Sequence, residues 1–207
     1  MKNITTDVLV IGAGPAGSVA ATLLNKNGFR VTVIEKQLFP RFVIGESLLP
    51  LCLDNFEKAG LLDVVKAQGY QKKIGATFTR DEGEYCAFNF KEQYTQGYPH
   101  AWQMQRAKLD KTLIDEAARQ GVAVFFGHSV EEVAFAKESV SIKATDPTGQ
   151  AYQVSAQFVV DASGYGRVLP RLLDLDQPSN FPARAAFFAH IKEETIQGSN
   201  DVVTEIA

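Results

Sequence analysis

The chain has 207 residues, 45% of them hydrophobic, and a formal net charge of −3: enough apolar material for one large domain or one and a half, and no basic excess to draw nucleic acid or anionic lipid. Residues 1–6 lack the basic and apolar regions of a signal peptide, no apolar run reaches the length of a bilayer span, and Cys52 and Cys86 stand apart without metal-ligand spacing. The expectation is a cytoplasmic protein with reduced, buried thiols, no metal, no nucleic-acid partner and no integral membrane segment.

Val8 to Ile11 is a continuous apolar run, the pattern of a strand buried on both faces of a parallel sheet. Gly12, Ala13, Gly14, Pro15, Ala16 and Gly17 follow. In such a turn the first glycine permits the tight bend, the second lets backbone approach a pyrophosphate, and the third lets the helix lie close to the strand. Pro15 suits a first helical turn, and the free N–H groups there, with the positive end of the helix dipole, bind phosphate. Gly28 reads as the helix stop and Val31 to Ile34 as the second strand. Glu35, with Lys36 beside it, falls about 20 residues beyond the glycines, where a carboxylate accepts from both ribose hydroxyls and repels a 2′-phosphate. Strand, helix, strand and acid are in register, so the segment reads as a dinucleotide site.

Beyond Lys36 the simple repetition ends. Gln37 to Pro50 is a loop, after which Leu48, Leu51 and Phe56 mark a helix with Ser47 as its N-cap and Gly60 as its stop; Leu61 to Gln68 reads as a second, short helix. From Lys72 to Phe90 the pattern becomes strand-like, with Ile74, Ala76 and Phe78 alternating and a turn at Asp81, Glu82 and Gly83. A segment rich in Tyr, Gln and Gly runs from Gln93 to His100. Arg106 to Gln120 returns to helical period, with Leu109, Leu113 and Ala117 on one face and Gly121 as the stop. Val122 to Phe126 is a strand, Ser129 to Ser155 holds three short strands with a turn at 146–149, and Phe158 to Val160 is a buried strand leading into Asp161, Ala162, Ser163 and Gly164.

The glycine turn, the FPRFVIGESLLP segment, the WQMQRAKLD stretch and the FVVDASG strand end occur here in the order found in FAD-dependent enzymes of the aromatic hydroxylase fold, and most closely resemble flavin-dependent, tryptophan-type halogenases. The resemblance runs from Thr6 to about Arg171. In geranylgeranyl reductases, a neighbouring branch, a Cys usually precedes the Gly-Glu pair where this chain has Ile44. The resemblance implies an α/β fold: a Rossmann-like FAD-binding domain with a parallel sheet and a β-meander crossover, plus part of a β-rich substrate domain. The FAD-binding domain is expected over 1–71 and 101–180, and parts of an incomplete substrate domain over 72–100 and 181–207, with Phe187, Phe188 and His190 resembling the first strand of that domain. A Trp-x-Trp-x-Ile-Pro segment lies further along in the family than this chain reaches, so the chain is expected to be truncated.

By the same resemblance, Arg41 places a guanidinium fork near ribose or diphosphate oxygens, a pairing its planar donors suit. Glu46 and Ser47 line the flavin side of the cleft; read from the residues alone they are a capping pair. Arg106 faces the cofactor, and an arginine at a helix N-terminus, unfavourable for the dipole, points to an anionic partner. Asp161 and Gly164 approach the ribityl or diphosphate region, with helix capping by Asp161 or Ser163 the competing role. Lys73 matches a K-x-G-x-x-F context in which a lysine is thought to hold the oxidised halogen, while a Lys72–Lys73 pair also fits a solvated strand edge. The implied activity uses reduced FAD and oxygen, through a C4a-hydroperoxide, to hydroxylate or halogenate a small organic substrate. Electrons come from NAD(P)H or a separate flavin reductase. An FAD-dependent dehydrogenase or geranylgeranyl-reductase-like enzyme, a catalytically incomplete FAD-binding fragment, and an NAD-dependent dehydrogenase are the alternatives.

Overall fold

The computed structural model of the protein describes residues 3–80, 84–185 and 201–206. A short strand β1 (Asn3–Thr5) precedes the expected crossover of β2 (Val8–Ile11), α1 (Pro15–Lys26) and β3 (Val31–Glu35). Two helices follow, α2 (Pro50–Ala59) and α3 (Leu62–Lys66), then the strands β4 (Gln71–Arg80), β5 (Glu84–Asn89) and β6 (Ala101–Gln103). Helix α4 (Arg106–Arg119) leads to β7 (Ala123–Phe126), and β8 (Ser129–Phe135), β9 (Val140–Thr145) and β10 (Ala151–Ala156) form the meander. The order closes with β11 (Phe158–Asp161), α5 (Val168–Leu172) and β12 (Asp201–Ile206).

The central sheet is parallel throughout, in the order β11-β2-β3-β7, with Val8 opposite Val31 and Phe158. Because side chains alternate along a strand, β2 divides its four buried residues between two cores. Val8 and Val10 pack with Val31 and Val33 against Ala21 of α1 and Ile114 and Ala117 of α4. Leu9 and Ile11 face the other way, onto Ile142, Ala144 and Val154 of the meander. Each such side chain contributes about 1.5–3 kcal/mol of burial, so a parallel strand sandwiched between helices and a second sheet must read as an unbroken apolar run. The meander sheet has the order β1-β10-β9-β8, with β1 parallel to β10 and the other pairings antiparallel. A third core gathers α2, α3 and α4 around Trp102 and Met104.

β4 lies between β12 and β5, and its first residues also pair with β6. It is therefore an interior strand at Lys73 and not a solvated edge: Lys73 pairs with Ala101 on one side and Val202 on the other, and is only 3% exposed. Two further expectations are corrected. Helix α2 begins at Pro50 with Leu49, in extended conformation, as its N-cap, so Ser47 is not the cap. Proline at the first helical position fixes φ and has no N–H to leave unpaired, and it forces the preceding residue out of the helical region. Cys86 is exposed on β5, and Cys52 is half-buried. The turn expected at Asp81, Glu82 and Gly83, and the strand expected around Phe187, Phe188 and His190, lie outside the described residues.

Candidate functional site: a glycine turn faced by two arginines

The three glycines of the turn differ in what they do. Gly12 has φ +99°, and its N–H donates to the carbonyl of Ile34 at 2.8 Å; a Cβ there would lie 2.6 Å from the carbonyl oxygen of Ala162. A Cβ on Gly17 would lie 1.9 Å from the carbonyl oxygen of Gly12. Both are demanded by close backbone packing. A Cβ on Gly14 would instead meet only the Nη2 atoms of Arg41 at 3.8 Å and Arg106 at 3.9 Å, ordinary contact distances. Gly14 is also the N-cap of α1, which carries no side-chain cap and no acid in its first turn. The carbonyl of Gly14 accepts from the N–H of Ser18 at 2.9 Å. The N–H groups of Ala16 and Gly17 precede it, Pro15 has none, and Ala16 is exposed.

Glu35 closes the turn from below. One carboxylate oxygen accepts from the N–H of Ala13 at 2.9 Å and the other from the N–H of Gln37 at 2.8 Å, and the residue is 7% exposed. A carboxylate has roughly four lone-pair positions, so two backbone bonds leave acceptor capacity beyond the structural ones. Lys36 next to it is exposed.

Arg41 and Arg106 come from a loop and from the start of α4, and one residue that the sequence reading missed holds both. Asp110, with its side chain fully buried, accepts from Arg41 Nη1 at 2.9 Å, from Arg106 Nε at 2.7 Å and from Arg106 Nη2 at 3.0 Å. The guanidinium of Arg41 also lies over the Phe39 ring, 4.3 Å from its centroid, and its Nε is buried with no partner among the described residues. The anion expected opposite Arg106 is thus in part the protein's own. Its signal was present in the sequence: Asp110 stands four residues after Arg106 and beside Leu109 and Leu113, where a carboxylate on a buried helix face needs a partner.

Arg106 reaches further, with Nη1 at 3.4 Å from the carbonyl of Gly45. That residue starts a strap tied to β6: Met104 N–H donates to the Glu46 carbonyl at 2.8 Å, Ser47 pairs with Gln103, and Leu48 N–H donates to the Trp102 carbonyl at 3.2 Å. Lys73 lies on the far side of the strap. Its Nζ donates to the Leu48 carbonyl at 3.4 Å and sits 5.2 Å from the Phe90 ring centroid. Burial holds its pKa below the usual lysine value, since a desolvated ammonium is disfavoured. Lys73 is thus joined to the arginine cluster through one short segment of backbone and does not touch the glycine turn directly.

Asp161 ends β11, and Ala162 beside it forms the wall against Gly12. Its carboxylate accepts from the N–H groups of Ser163 at 2.9 Å and Leu169 at 2.8 Å, while Ser163 Oγ accepts from Val168 N–H at 3.0 Å. Both side chains therefore accept from the first turn of α5, although neither is its N-cap residue, which is Arg167. Gly164 has φ +57°, is exposed, and has open space where a Cβ would project.

Residues 5–190 match the family model described as an FAD binding domain. The chain belongs to the FAD binding domain family. The residues of the glycine turn fit that cofactor: the α-carbon of Gly14 opens on two guanidinium groups, a cradle of the right charge for a diphosphate. A tryptophan 2-halogenase of Chondromyces crocatus is 38% identical over 162 residues, which are 77% of this chain and 30% of that enzyme. Among solved structures, a flavoprotein/dehydrogenase from Cytophaga hutchinsonii is 53% identical with a TM-score of 0.82, covering 86% of this chain and 44% of that one. The flavin-dependent halogenase CmlS is 36% identical with a TM-score of 0.76, covering 82% of this chain and 31% of its own. The chain therefore spans less than half the length of these relatives. No helix among the described residues is long and apolar enough to cross a membrane.

Proposed function

We propose that this FAD-binding chain belongs to a flavin-dependent oxidoreductase that halogenates or hydroxylates a small organic substrate with reduced FAD and oxygen. Bound FAD supplies the redox chemistry, and the protein binds, orients and excludes water. The diphosphate is held by the N–H groups of Ala16 and Gly17 at the start of α1 and by Arg41 and Arg106, with Ala13, Gly14 and Pro15 forming the floor. Glu35 takes the ribose hydroxyls with its remaining lone pairs, and Lys36 flanks it. Glu46, Ser47, Asp161 and Gly164 border the flavin side. Residues 72–100 and 181–207 begin a substrate domain, a division supported by β4, β5 and β12 forming a sheet separate from the central one, to which β6 alone is added from the FAD-binding side among the described residues. Electrons come from NAD(P)H or a separate reductase, and the reducing cytoplasm suits two free cysteines.

The observation that carries the halogenation reading is Lys73. An interior strand buries an amine against the Leu48 carbonyl and an aromatic face, and desolvation shifts it toward the neutral form, which can take up and hand on an electrophile at Nζ. The full-length protein supplied with reduced FAD, oxygen, bromide and candidate aromatic substrates should give a brominated product by mass spectrometry. Lys73→Ala should abolish that product while reduced flavin is still consumed. Retained bromination removes Lys73 from the chemistry. The 53% identity to the flavoprotein/dehydrogenase favours one other reading, dehydrogenation without oxygen insertion. That reading requires substrate to bleach the oxidised flavin under anaerobic conditions, which the halogenase reading excludes.

A further inference from the structure

We propose that Asp110 is a positioning residue: it locks Arg41 and Arg106 into a single two-guanidinium clamp for the FAD diphosphate, and so sets the affinity of the site without touching the cofactor. The inference rests on the assignment of FAD to the glycine turn. Its basis is the arrangement of three side chains drawn from two distant segments. Asp110 has no exposed side-chain surface, while Arg41 and Arg106 retain 14% and 15% of theirs. The carboxylate is therefore out of reach of a ligand, and the two cations are not. Its oxygens take one N–H from Arg41 and two from Arg106, and each arginine still presents its Nη2 toward the open α-carbon of Gly14.

The charges favour this division of labour. Two guanidinium groups side by side repel, and with no anion between them their long side chains would swing apart. One buried carboxylate cancels that repulsion and leaves one net positive charge, which with about +0.5 from the N-terminus of α1 faces the roughly two negative charges of a diphosphate. Without Asp110 the cationic charge would rise, yet the fork geometry would be lost. Recognition of a diphosphate by planar donors depends on geometry as well as field, so geometry decides the sign of the effect. The buried Nε of Arg41, without a partner among the described residues, points the same way: that side chain is held in a partly desolvated position that Asp110 and the Phe39 ring make tolerable.

The test compares the parent chain with Asp110→Asn, which keeps volume and removes charge, by titration calorimetry with FAD, ADP and adenosine. The parent should bind FAD, and failure to do so would overturn the cofactor assignment itself. If FAD binds, Asp110→Asn should weaken ADP by about tenfold, ~1.4 kcal/mol, with adenosine affinity unchanged. A merely structural role would lower adenosine and ADP affinity together. Should Asp110→Asn fail to fold, Asp110→Glu keeps the charge and displaces both arginines by one methylene. It should retain adenosine binding and lose ADP affinity by a smaller factor. ADP affinity equal to or tighter than the parent's in either folded variant overturns the proposal.

Discussion

The two ends of the candidate site are built differently. The backbone of the glycine turn is shaped mostly within residues 8–35: β2, α1 and β3 are consecutive, and its close contacts run between Gly12, Gly17, Ala13 and Glu35, with Ala162 and Ser163 coming from afar. At the arginine cluster and Lys73, by contrast, the groups come from residues 41–48, 73 and 106–110, joined by hydrogen bonds that span 25 to 69 positions. The first end is specified by local backbone geometry. The second depends on how separate segments pack, so it exists only in the assembled fold.

Substitutions should separate the two. The largest effect belongs to Gly17→Val: its first side-chain carbon would lie 1.9 Å from the Gly12 carbonyl oxygen and would force α1 off the sheet, at about 3 kcal/mol or more in a chemical denaturation curve. Gly14→Val places its Cβ at ordinary contact distance, so it should leave that curve nearly unchanged and yet abolish FAD retention. If both variants unfolded equally, the distinction between packing glycine and ligand-facing glycine would be lost. Glu35→Ala removes the acceptor of two backbone N–H groups and should lower stability by about 1–3 kcal/mol, with FAD affinity falling in parallel.

Smaller effects probe the assembled regions through pH. The pKa of Lys73 is lowered in the fold, so the unfolded chain holds the extra proton more tightly and the buried ammonium opposes folding below that pKa. The penalty is relieved as pH rises toward the ordinary lysine value. Lys73→Met should therefore raise the thermal midpoint at pH 7 and change it little near pH 10.5, the unshifted value. A midpoint gain independent of pH would contradict the burial argument. In the meander, burial pushes the Tyr152 hydroxyl up to about 12, and it pairs with His128 Nδ1 at 2.8 Å. Its raised pKa adds stability below the unfolded value of 10 that is lost between there and about 12. Tyr152→Phe should flatten that alkaline limb and cost about 1 kcal/mol at neutral pH, measured by thermal unfolding across the range.

Legibility in the sequence followed the same division. The crossover, the meander strands and the face of α4 carrying Leu109, Leu113 and Ala117 were readable because a period of two or 3.6 and a glycine stop are local signals. Alternation in β4 identified a strand but not how deeply each position is buried: Phe78 is 45% exposed while Lys73 is 3% exposed, and no local pattern records what distant segments bring against each face. Ser47 looked like a cap because its residue type suits one; the proline three positions on decided the helix start. Half of the role of Asp110 is local, as the i+4 partner of Arg106 on a buried helix face; the other half, its bond to Arg41 69 residues earlier, no local pattern records.

The central claim is that a dinucleotide's diphosphate lies over Gly14 between the start of α1 and the guanidinium groups of Arg41 and Arg106. A crystal structure of the chain with FAD tests it directly. The account predicts diphosphate oxygens within hydrogen-bond distance of both arginines and of the Ala16 or Gly17 N–H. Density for the diphosphate anywhere else, or an arginine pair that turns away from it, would contradict the account.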